Sequence, residues 1–317
     1  MTKKYALLIG ITYPGTNAYL PGCDNDILEI YKFLNARGYT EYDVLCDTDV
    51  FNGVGVHVNK PTISVIVQSF FKLLAWAKAN PTGQIFLHYS GHGTQVADSN
   101  WIFDEANKVW QTEEEDGKDE CIVTQDLHLI ADDQLKWLFS QLPSTITLFS
   151  LMDSCHSGSA FDLKYYLKHP NELTTIRHGM NMNAEVIMIS GCRDDQYGQS
   201  CVFGTKWYGV MTYAFLYLMK YMNNYNISTC TLNDVWRNMG IICTTFPQIP
   251  QASCSKNNFH TANLVCTSTN FEIQKIQPVI ESATVARRHY ASRTQNKYYQ
   301  TSRPVLKRGR PTKRWAM

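Results

Sequence analysis

The chain has 317 residues, of which 44% are hydrophobic, and a formal net charge of +1. A chain of this length can bury a large core, and we expect one domain. Its apolar stretches are too short or too interrupted by charge to span a bilayer, and its ten cysteines are scattered without a CxxC pair. These features argue against a membrane protein and against a disulfide-stabilised secreted protein, so we expect an intracellular, cytoplasmic protein.

Apolar strands alternate with amphipathic helices along most of the chain. The periodicities predict, in order, strand Lys4–Ile11, helix Asp24–Ala36, strand Asp43–Cys46, helix Thr62–Lys78, strand Gln84–Tyr89, helix Asp133–Leu142, strands Ile146–Met152 and Glu185–Ser190, helices Val210–Tyr221 and Leu232–Thr244, and strand Asn263–Thr267. Such a βαβα order is typical of a mostly parallel sheet that is covered by helices on both faces.

Two of the predicted strands lead into residues that can carry out catalysis. One apolar run ends just before Cys155, and another, Ile85–Tyr89, leads into the loop that holds His92. Because the carboxyl ends of parallel strands meet at one edge of a sheet, we expect Cys155 and His92 to lie close together although they are far apart in sequence. A thiol beside an imidazole is a candidate nucleophile and general base.

Each of these residues alone has an ordinary structural interpretation. A single cysteine is usually a small core residue, and a single histidine is usually hydrogen-bonded in a structural role. Glycines on both sides of His92, together with Gly158 after Cys155, favour the catalytic interpretation because they permit tight turns and close backbone approach. His156 is not expected to be the base, since adjacent side chains in an extended segment point in opposite directions.

Two catalytic motifs and four supporting ones occur in this chain: Tyr89-Ser-Gly-His-Gly-Thr94 and Asp153-Ser-Cys-His-Ser-Gly158, with Leu20-Pro-Gly-Cys-Asp-Asn-Asp26, Asp119-Glu-Cys-Ile122, Ile130-Ala-Asp-Asp133 and Ser190-Gly-Cys-Arg-Asp-Asp-Gln196. In these motifs the chain resembles the caspase-like cysteine peptidases, and within them the metacaspases, over most of residues 4–267. The resemblance implies an α/β fold, a caspase-like three-layer α/β/α sandwich around a mostly parallel sheet. The charge composition of the last residues adds a disordered basic C-terminal tail.

The domain division implied by the resemblance is of the type I kind. A caspase-like peptidase domain over residues 1–275 would contain a large-subunit-like part over 1–160, a linker over 161–184 and a small-subunit-like part over 185–275. The basic tail would occupy residues 276–317. We expect two departures from the type I pattern: the first strand, from Lys4, without a proline-rich segment before it, and an additional basic tail.

The resemblance also implies a mechanism. A thiol with an unperturbed pKa of about 8.5 is only a few per cent thiolate at neutral pH. His92 would therefore take the proton of Cys155 and later protonate the leaving amine. Backbone N–H groups of Gly93 and Cys155 would stabilise the oxyanion. The family pattern requires no third residue to orient His92.

An acidic pocket for the substrate residue before the scissile bond is a further implication. The matching positions are Cys23, Asp26, Ser90 and Asp153. Two carboxylates in a partly desolvated pocket favour Arg most, because its planar fork can bond both, so we expect cleavage after Arg or Lys. The alternative is that Asp26 only stabilises a helix N-terminus, whereas a carboxylate at Asp153, at the end of an apolar strand, needs some partner.

Four aspartates match the calcium site of calcium-dependent metacaspases: Asp119, Asp132, Asp133 and Asp162. Calcium requires several hard oxygen ligands, and clustered carboxylates repel one another until a cation neutralises them. The resemblance therefore implies Ca²⁺ as an activator. From the residues alone, helix capping by Asp132 and Asp133 is the favoured interpretation, and the acidic run Glu113–Asp116 is interpreted as a solvated loop.

The C-terminal tail differs in charge from the rest of the chain. Residues 285–317 hold ten Lys or Arg and no Asp or Glu. The segment Arg308-Gly-Arg310-Pro is similar to the AT-hook, in which two arginines lie in a narrow A·T minor groove, and the basic run Lys307–Arg314 also fits a nuclear-localisation signal. DNA contact through Arg308 and Arg310, nuclear import and a merely disordered tail all stay open.

Together these features predict a calcium-stimulated cysteine endopeptidase that cleaves peptide or protein substrates after Arg or Lys and does not act at a membrane. Self-cleavage would use Lys164, Lys168 or Arg177 in the linker, or the basic tail. The alternative is a non-proteolytic caspase-like scaffold or a DNA-tethered binding protein. The presence of both Cys155 and His92 favours the enzyme, since a scaffold does not need the pair.

Overall fold

The computed structural model describes residues 2–98, 101–104, 109–112, 117–169, 172–175, 182–224, 230–258, 263–266 and 285–287. Its helices are α1 (Cys23–Asn35), α2 (Ile63–Ala79), α3 (Asp132–Ser140), α4 (Val210–Asn224) and α5 (Leu232–Ile242), with a 3-10 turn at Cys243–Thr245. Its strands are β1 (Lys4–Gly10), β2 (Glu41–Cys46), β3 (Val58–Asn59), β4 (Gln84–Ser90), β5 (Gly93–Ala97), β6 (Trp101–Asp104), β7 (Val109–Thr112), β8 (Lys118–Val123), β9 (Leu129–Ala131), β10 (Thr147–Asp153), β11 (Tyr165–His169), β12 (Glu172–Thr175), β13 (Glu185–Ser190), β14 (Gln199–Phe203), β15 (Lys206–Gly209), β16 (Cys230–Thr231), β17 (Gln251–Cys254), β18 (Asn263–Cys266) and β19 (Val285–Arg287).

The central sheet of the described chain has nine strands in the order β12-β11-β17-β13-β10-β4-β1-β2-β3. The six strands from β13 to β3 pair in parallel. The other three, β17, β11 and β12, pair antiparallel at one edge. The prediction of a mostly parallel sheet is therefore confirmed. The central strands are apolar along nearly their whole length because both of their faces are covered.

Helices cover the two faces of this sheet. Successive side chains of β1 alternate between two apolar cores: Ala6 and Leu8 pack with α1, α4 and α5, whereas Leu7 and Ile9 pack with α2 and α3. The result is the three-layer α/β/α sandwich that the resemblance implies.

Smaller sheets lie next to the strand ends that carry the catalytic motifs. β5, β8 and β9 form an antiparallel sheet that begins at Gly93, directly after His92. β14 and β15 form a hairpin after β13, and β19 pairs with the free edge of β14. Within the described ranges, every helix is too short or too polar to cross a lipid bilayer.

Two segments differ from the expectations for the linker and the tail. The predicted linker at 161–184 contains β11 and β12, which extend the central sheet, and Phe161 and Leu163 are buried in the core beside α3. Much of this segment is therefore packed into the domain. In the predicted disordered tail, Val285–Arg287 form β19, and Arg308 and Arg310 lie outside the described residues. The domain division itself stays a prediction.

Candidate active site

The two catalytic loops follow neighbouring strands. β4 and β10 are paired in parallel register, with Ser90 opposite Asp153. His92 comes two residues after the first position and Cys155 two residues after the second. Both loops therefore leave the sheet at its carboxyl edge, where open α/β sheets form their crevices.

His92 is held by backbone and aromatic contacts. Its Nε2 lies 2.8 Å from the carbonyl oxygen of Ala18. Because a carbonyl can only accept, Nε2 carries the proton, and Nδ1 of a neutral ring is the basic nitrogen. The Tyr13 ring lies 4.9 Å from the imidazole between centroids, and the Tyr13 hydroxyl accepts from the His92 N–H at 3.1 Å. The Ala18 carbonyl supplies the orienting contact that the sequence analysis did not expect from any third residue.

Cys155 is fully buried at the start of the loop after β10. The backbone N–H of Gly198 donates to its Sγ at 3.2 Å. The Sγ also lies 3.7 Å from the carbonyl oxygen of Gly198, so the backbone of this one residue faces the thiol with both a donor and an acceptor. Gly198 belongs to the loop after β13, so a third strand end contributes to the site.

Gly93 contacts the backbone of Cys155. A Cβ at position 93 would lie 1.9 Å from the Cys155 carbonyl oxygen, a distance that no side chain can occupy. The two backbones predicted to supply oxyanion donors are therefore adjacent, and this contact requires glycine.

His156 takes part in a different set of contacts. Its Nδ1 is hydrogen-bonded to the backbone carbonyl of Asp194, and its ring meets the Tyr197 ring edge-on at 5.3 Å. Its backbone lies in the left-handed region, with φ of 49°. These contacts tie the loop after β10 to the loop after β13, which is a positioning role and not that of a base.

Two buried carboxylates flank the dyad. Asp26, at the start of α1, accepts from the Ser90 hydroxyl at 2.6 Å and from the Gly209 N–H at 2.9 Å. Asp153, the last residue of β10, accepts from the N–H and the hydroxyl of Thr212 at 2.9 and 2.6 Å. The structure thus joins three of the four predicted pocket residues to the strand ends and to the segment that starts α4.

Cys23, the fourth predicted pocket residue, is placed differently. It is the first residue of α1 and is fully buried in the apolar core on the α2 side. Its thiol lies 3.8 Å from the Leu20 carbonyl oxygen, and its own carbonyl lies 2.7 Å from where a Cβ on Gly10 would stand. Its observed contacts are those of a packing residue.

Three of the predicted calcium ligands form a compact group. Carboxylate oxygens of Asp132, Asp133 and Asp162 all lie within 4.8 Å of one another. Lys136 reaches into the group, with its Nζ 3.0 Å from Asp162 and 3.9 Å from Asp133. Asp132 is the first residue of α3 and not its N-cap, and it accepts from the Glu120 N–H at 2.8 Å. It therefore links α3 to β8.

Asp119 belongs to the same acidic environment. Burial, followed by the charges of Asp98, Asp133 and Asp162, raises the pKa of Asp119 to about 7. Burial and the charge of Asp162 likewise raise the pKa of Asp132 to about 8. Ligand oxygens of one Ca²⁺ lie about 2.3–2.6 Å from the ion, so oxygens roughly 5 Å apart can share it. The spacing and the hard oxygen donors of Asp132, Asp133 and Asp162 fit a calcium ion.

Several contributors to the site were missed by the sequence analysis. Asp98 shares a side-chain hydrogen bond with Asp119 and is a fifth carboxylate beside the four predicted calcium ligands. Thr212 and Gly209 hold the pocket carboxylates, and Gly198 and Ala18 hold the dyad. These contacts join distant segments, and backbone donors and carbonyls leave no side-chain signature, so no local pattern indicates them.

Comparisons with known proteins identify families and folds that this chain resembles. Residues 4–164 match the family model described as metacaspase, peptidase C14 domain. The chain is 35% identical over 273 residues to Metacaspase-3 of Trypanosoma brucei brucei, covering 79% of this chain and 71% of that protein. It is 42% identical over 164 residues to Metacaspase-7 of Arabidopsis thaliana, covering 50% of this chain and 36% of that protein. A crystal structure from Geobacter sulfurreducens aligns with a TM-score of 0.50 and 19% identity over 87% of this chain and 98% of that one, a similarity of fold alone.

Proposed function

Because the chain belongs to the metacaspases, a family of caspase-like cysteine peptidases, we propose that it is an endopeptidase that cleaves after Arg or Lys and that calcium stimulates it. The observation that carries the proposed specificity is the pair of fully buried carboxylates, Asp26 and Asp153, beside the strand ends that lead to Cys155 and His92.

The dyad supplies the chemistry of peptide cleavage. His92 Nδ1 takes the proton of the Cys155 thiol, since Nε2 is already committed to the Ala18 carbonyl. The thiolate attacks the carbonyl carbon of the residue before the scissile bond, and His92 returns the proton to the leaving amine. Water then hydrolyses the thioester, with His92 as the base.

The oxyanion forms where the Gly93 and Cys155 backbones meet. Preorganised N–H donors at such a position are worth about 2.7–4 kcal/mol each in acyl transfer. The close contact between these two residues fixes their relative position before substrate arrives.

The acidic pair accounts for the preference for a cation. Asp26 and Asp153 are held by hydrogen-bond donors from Ser90, Gly209 and Thr212, none of which is a cation. A guanidinium can bond two carboxylates with its planar fork, whereas an acidic side chain would be repelled.

Calcium would be held by Asp119, Asp132, Asp133 and Asp162. Bound there, the ion would neutralise carboxylates that otherwise repel one another, and it would displace the Lys136 ammonium from Asp162. Asp162 follows the Cys155 loop and Asp119 lies on β8, which pairs with the strand after His92. Through these residues, ion binding would stabilise the conformations of the loops that carry Cys155 and His92.

A direct assay tests the proposal. Purified full-length chain is given short fluorogenic peptides that end in Arg, Lys or Asp, with calcium or with a chelator. We expect cleavage of the Arg and Lys peptides, faster with calcium, and none by the Cys155→Ala variant. Preference for Asp would contradict the acidic pocket, and absence of all cleavage would return the chain to the scaffold alternative.

A further inference from the structure

The edge of β14 is paired with a strand from the C-terminal region. β19 runs antiparallel to it, and the paired residues are Gln199 with Arg287, Ser200 with Ala286, and Cys201 with Val285. β14 is therefore the middle strand of a three-stranded sheet, with β15 on its other side.

β14 begins directly beside the nucleophile. Gly198 immediately precedes it and donates its N–H to the Cys155 Sγ at 3.2 Å. A Cβ on Gly198 would lie 3.1 Å from the carbonyl carbon and oxygen of Ser154. A strand that pairs with Gln199 therefore ends close to Cys155.

The antiparallel pairing determines which end of β19 lies near Cys155. Residue numbers in β19 rise toward Gln199, so the strand end nearest to Cys155 is Arg287. Peptides that bind by adding a strand to an exposed sheet edge are held through their backbone in this way. A substrate bound along β14 in this direction places the bond after its last paired residue next to the thiol.

Position 287 holds the residue type that the proposed specificity requires before the scissile bond. Residues 285–317 carry ten Lys or Arg and no Asp or Glu, whereas acidic residues exceed basic ones in the rest of the chain. Attraction between the two parts favours the pairing. Because both strands belong to one molecule, their pairing is intramolecular, which raises the effective concentration of the segment at the edge of β14.

We propose that Val285–Arg287 occupy the substrate strand position of their own active site, and that the bond between Arg287 and Arg288 is a self-cleavage site. This inference rests on the proposed function, cleavage after Arg or Lys. The uncut segment competes with external substrates for the edge of β14.

The reaction follows the dyad mechanism. The Cys155 thiolate bonds to the Arg287 carbonyl carbon, the bond to the Arg288 nitrogen breaks, and His92 gives its proton to that nitrogen. Water then attacks the thioester and gives a proton to His92, and the carbon–sulfur bond breaks. The products are a carboxylate at Arg287, a new N-terminus at Arg288 and the regenerated thiolate.

Mass spectrometry of the full chain incubated with calcium tests the cleavage. We expect a fragment that begins at Arg288, absent from the Cys155→Ala and Arg287→Ala variants. The matched control is Arg293→Ala, which removes another tail arginine. The fragment that begins at residue 288 should form at the same rate in this variant. The rate constant should not depend on protein concentration, and a second-order dependence would overturn the intramolecular arrangement.

Peptide binding tests the competition without any catalysis. A labelled peptide ending in Arg is titrated into the Cys155→Ala protein and into the same protein with Arg287→Ala. We expect binding tighter by about threefold or more when Arg287 is removed, as loss of an intramolecular competitor requires. Arg293→Ala should give no change.

The inference and the proposed function fail differently. If the active chain cleaves external Arg peptides but produces no fragment at Arg288, and if Arg287→Ala leaves peptide binding unchanged, the inference is overturned and the specificity stands. If neither the full chain nor its Arg287→Ala variant cleaves external Arg or Lys peptides, both are overturned.

Discussion

Cys155 and His92 are each held by backbone contacts from other segments of the chain. The Ala18 carbonyl determines which imidazole nitrogen is basic, and the Gly198 N–H faces the sulfur. The Ala18 contact does not involve the sulfur, and removing the thiol costs only the Gly198 N–H contact with Sγ, so loss of the sulfur atom should separate chemistry from folding.

Replacing Cys155 by Ala should abolish peptidase activity and leave the fold intact, because the nucleophile is lost with a small change in volume. The measurement is cleavage of an Arg peptide together with thermal unfolding. The matched control is Cys46→Ala, which removes another buried thiol from β2 and should retain activity. An appreciable residual rate in the Cys155→Ala protein would contradict the dyad.

Replacing Asp153 by Asn should remove most cleavage after Arg, because the isosteric amide keeps the contact with Thr212 but not the charge. Breaking a buried ion pair costs about 3–5 kcal/mol, or roughly 10²–10⁴ in kcat/KM. The control is Asp43→Asn. This change neutralises a carboxylate on β2 that forms an ion pair with Lys72 of α2. A loss below tenfold, or an equal loss in both variants, would rule out Asp153 as the guanidinium partner.

At the scale of elements, three loops converge after β4, β10 and β13. Gly93 touches Cys155, His156 is hydrogen-bonded to Asp194, and Gly198 faces the thiol. The loops therefore support one another, and a steric change at their closest contact should disturb all of them.

Gly93→Ala should abolish activity and lower the melting temperature, since its Cβ would stand 1.9 Å from the Cys155 carbonyl oxygen. The matched control is Gly240→Ala within α5, where a Cβ meets nothing within 4 Å. That substitution should stabilise the helix by about 0.5–1 kcal/mol and keep activity. An active Gly93→Ala protein would exclude the proposed oxyanion geometry.

Calcium should raise the melting temperature of the full chain by several degrees, because binding at about 100 times Kd stabilises the folded state by about 2.7 kcal/mol. Asp132→Asn with Asp133→Asn should remove both this shift and the stimulation of activity. The control is Glu113→Gln with Glu114→Gln, which changes the net charge by the same amount. It should keep both the shift in melting temperature and the stimulation by calcium. Calorimetry that detects no calcium binding would return Asp132 and Asp133 to a structural role in α3.

At the scale of the whole molecule, the proposed self-processing should follow an order that depends on which segments are paired in the sheet. Lys168 lies within β11, which pairs with β12 and β17, and Lys164 directly precedes it. Arg177 lies outside the described residues. Cutting at Lys168 first requires β11 to leave the sheet, whereas Arg287 is paired with Gln199, the residue after Gly198.

A time course by mass spectrometry should therefore show the fragment beginning at Arg288 before any fragment that ends at Lys164 or Lys168. The Cys155→Ala protein, incubated in parallel, identifies cleavage by a contaminating protease. A fragment ending at Lys168 that appears first would show that β11 unpairs readily, and that the linker is the preferred site.

The sequence by itself determined the family, the five helices and the parallel strands at the centre of the sheet. The pairing of Cys155 with His92 in catalysis stays a prediction. The family is confirmed by the match over residues 4–164, and the parallel sheet by the pairing of β13 through β3. Apolar periodicity and strand-end motifs are local signals, and parallel topology brings strand ends together without further information. Only the tertiary structure decided that the Ala18 carbonyl orients His92, that Asp98 joins Asp119, that the linker adds strands, and that β19 pairs with β14. Each of these is a contact between distant segments, often through backbone atoms that every residue shares, so no residue type in the sequence identifies it.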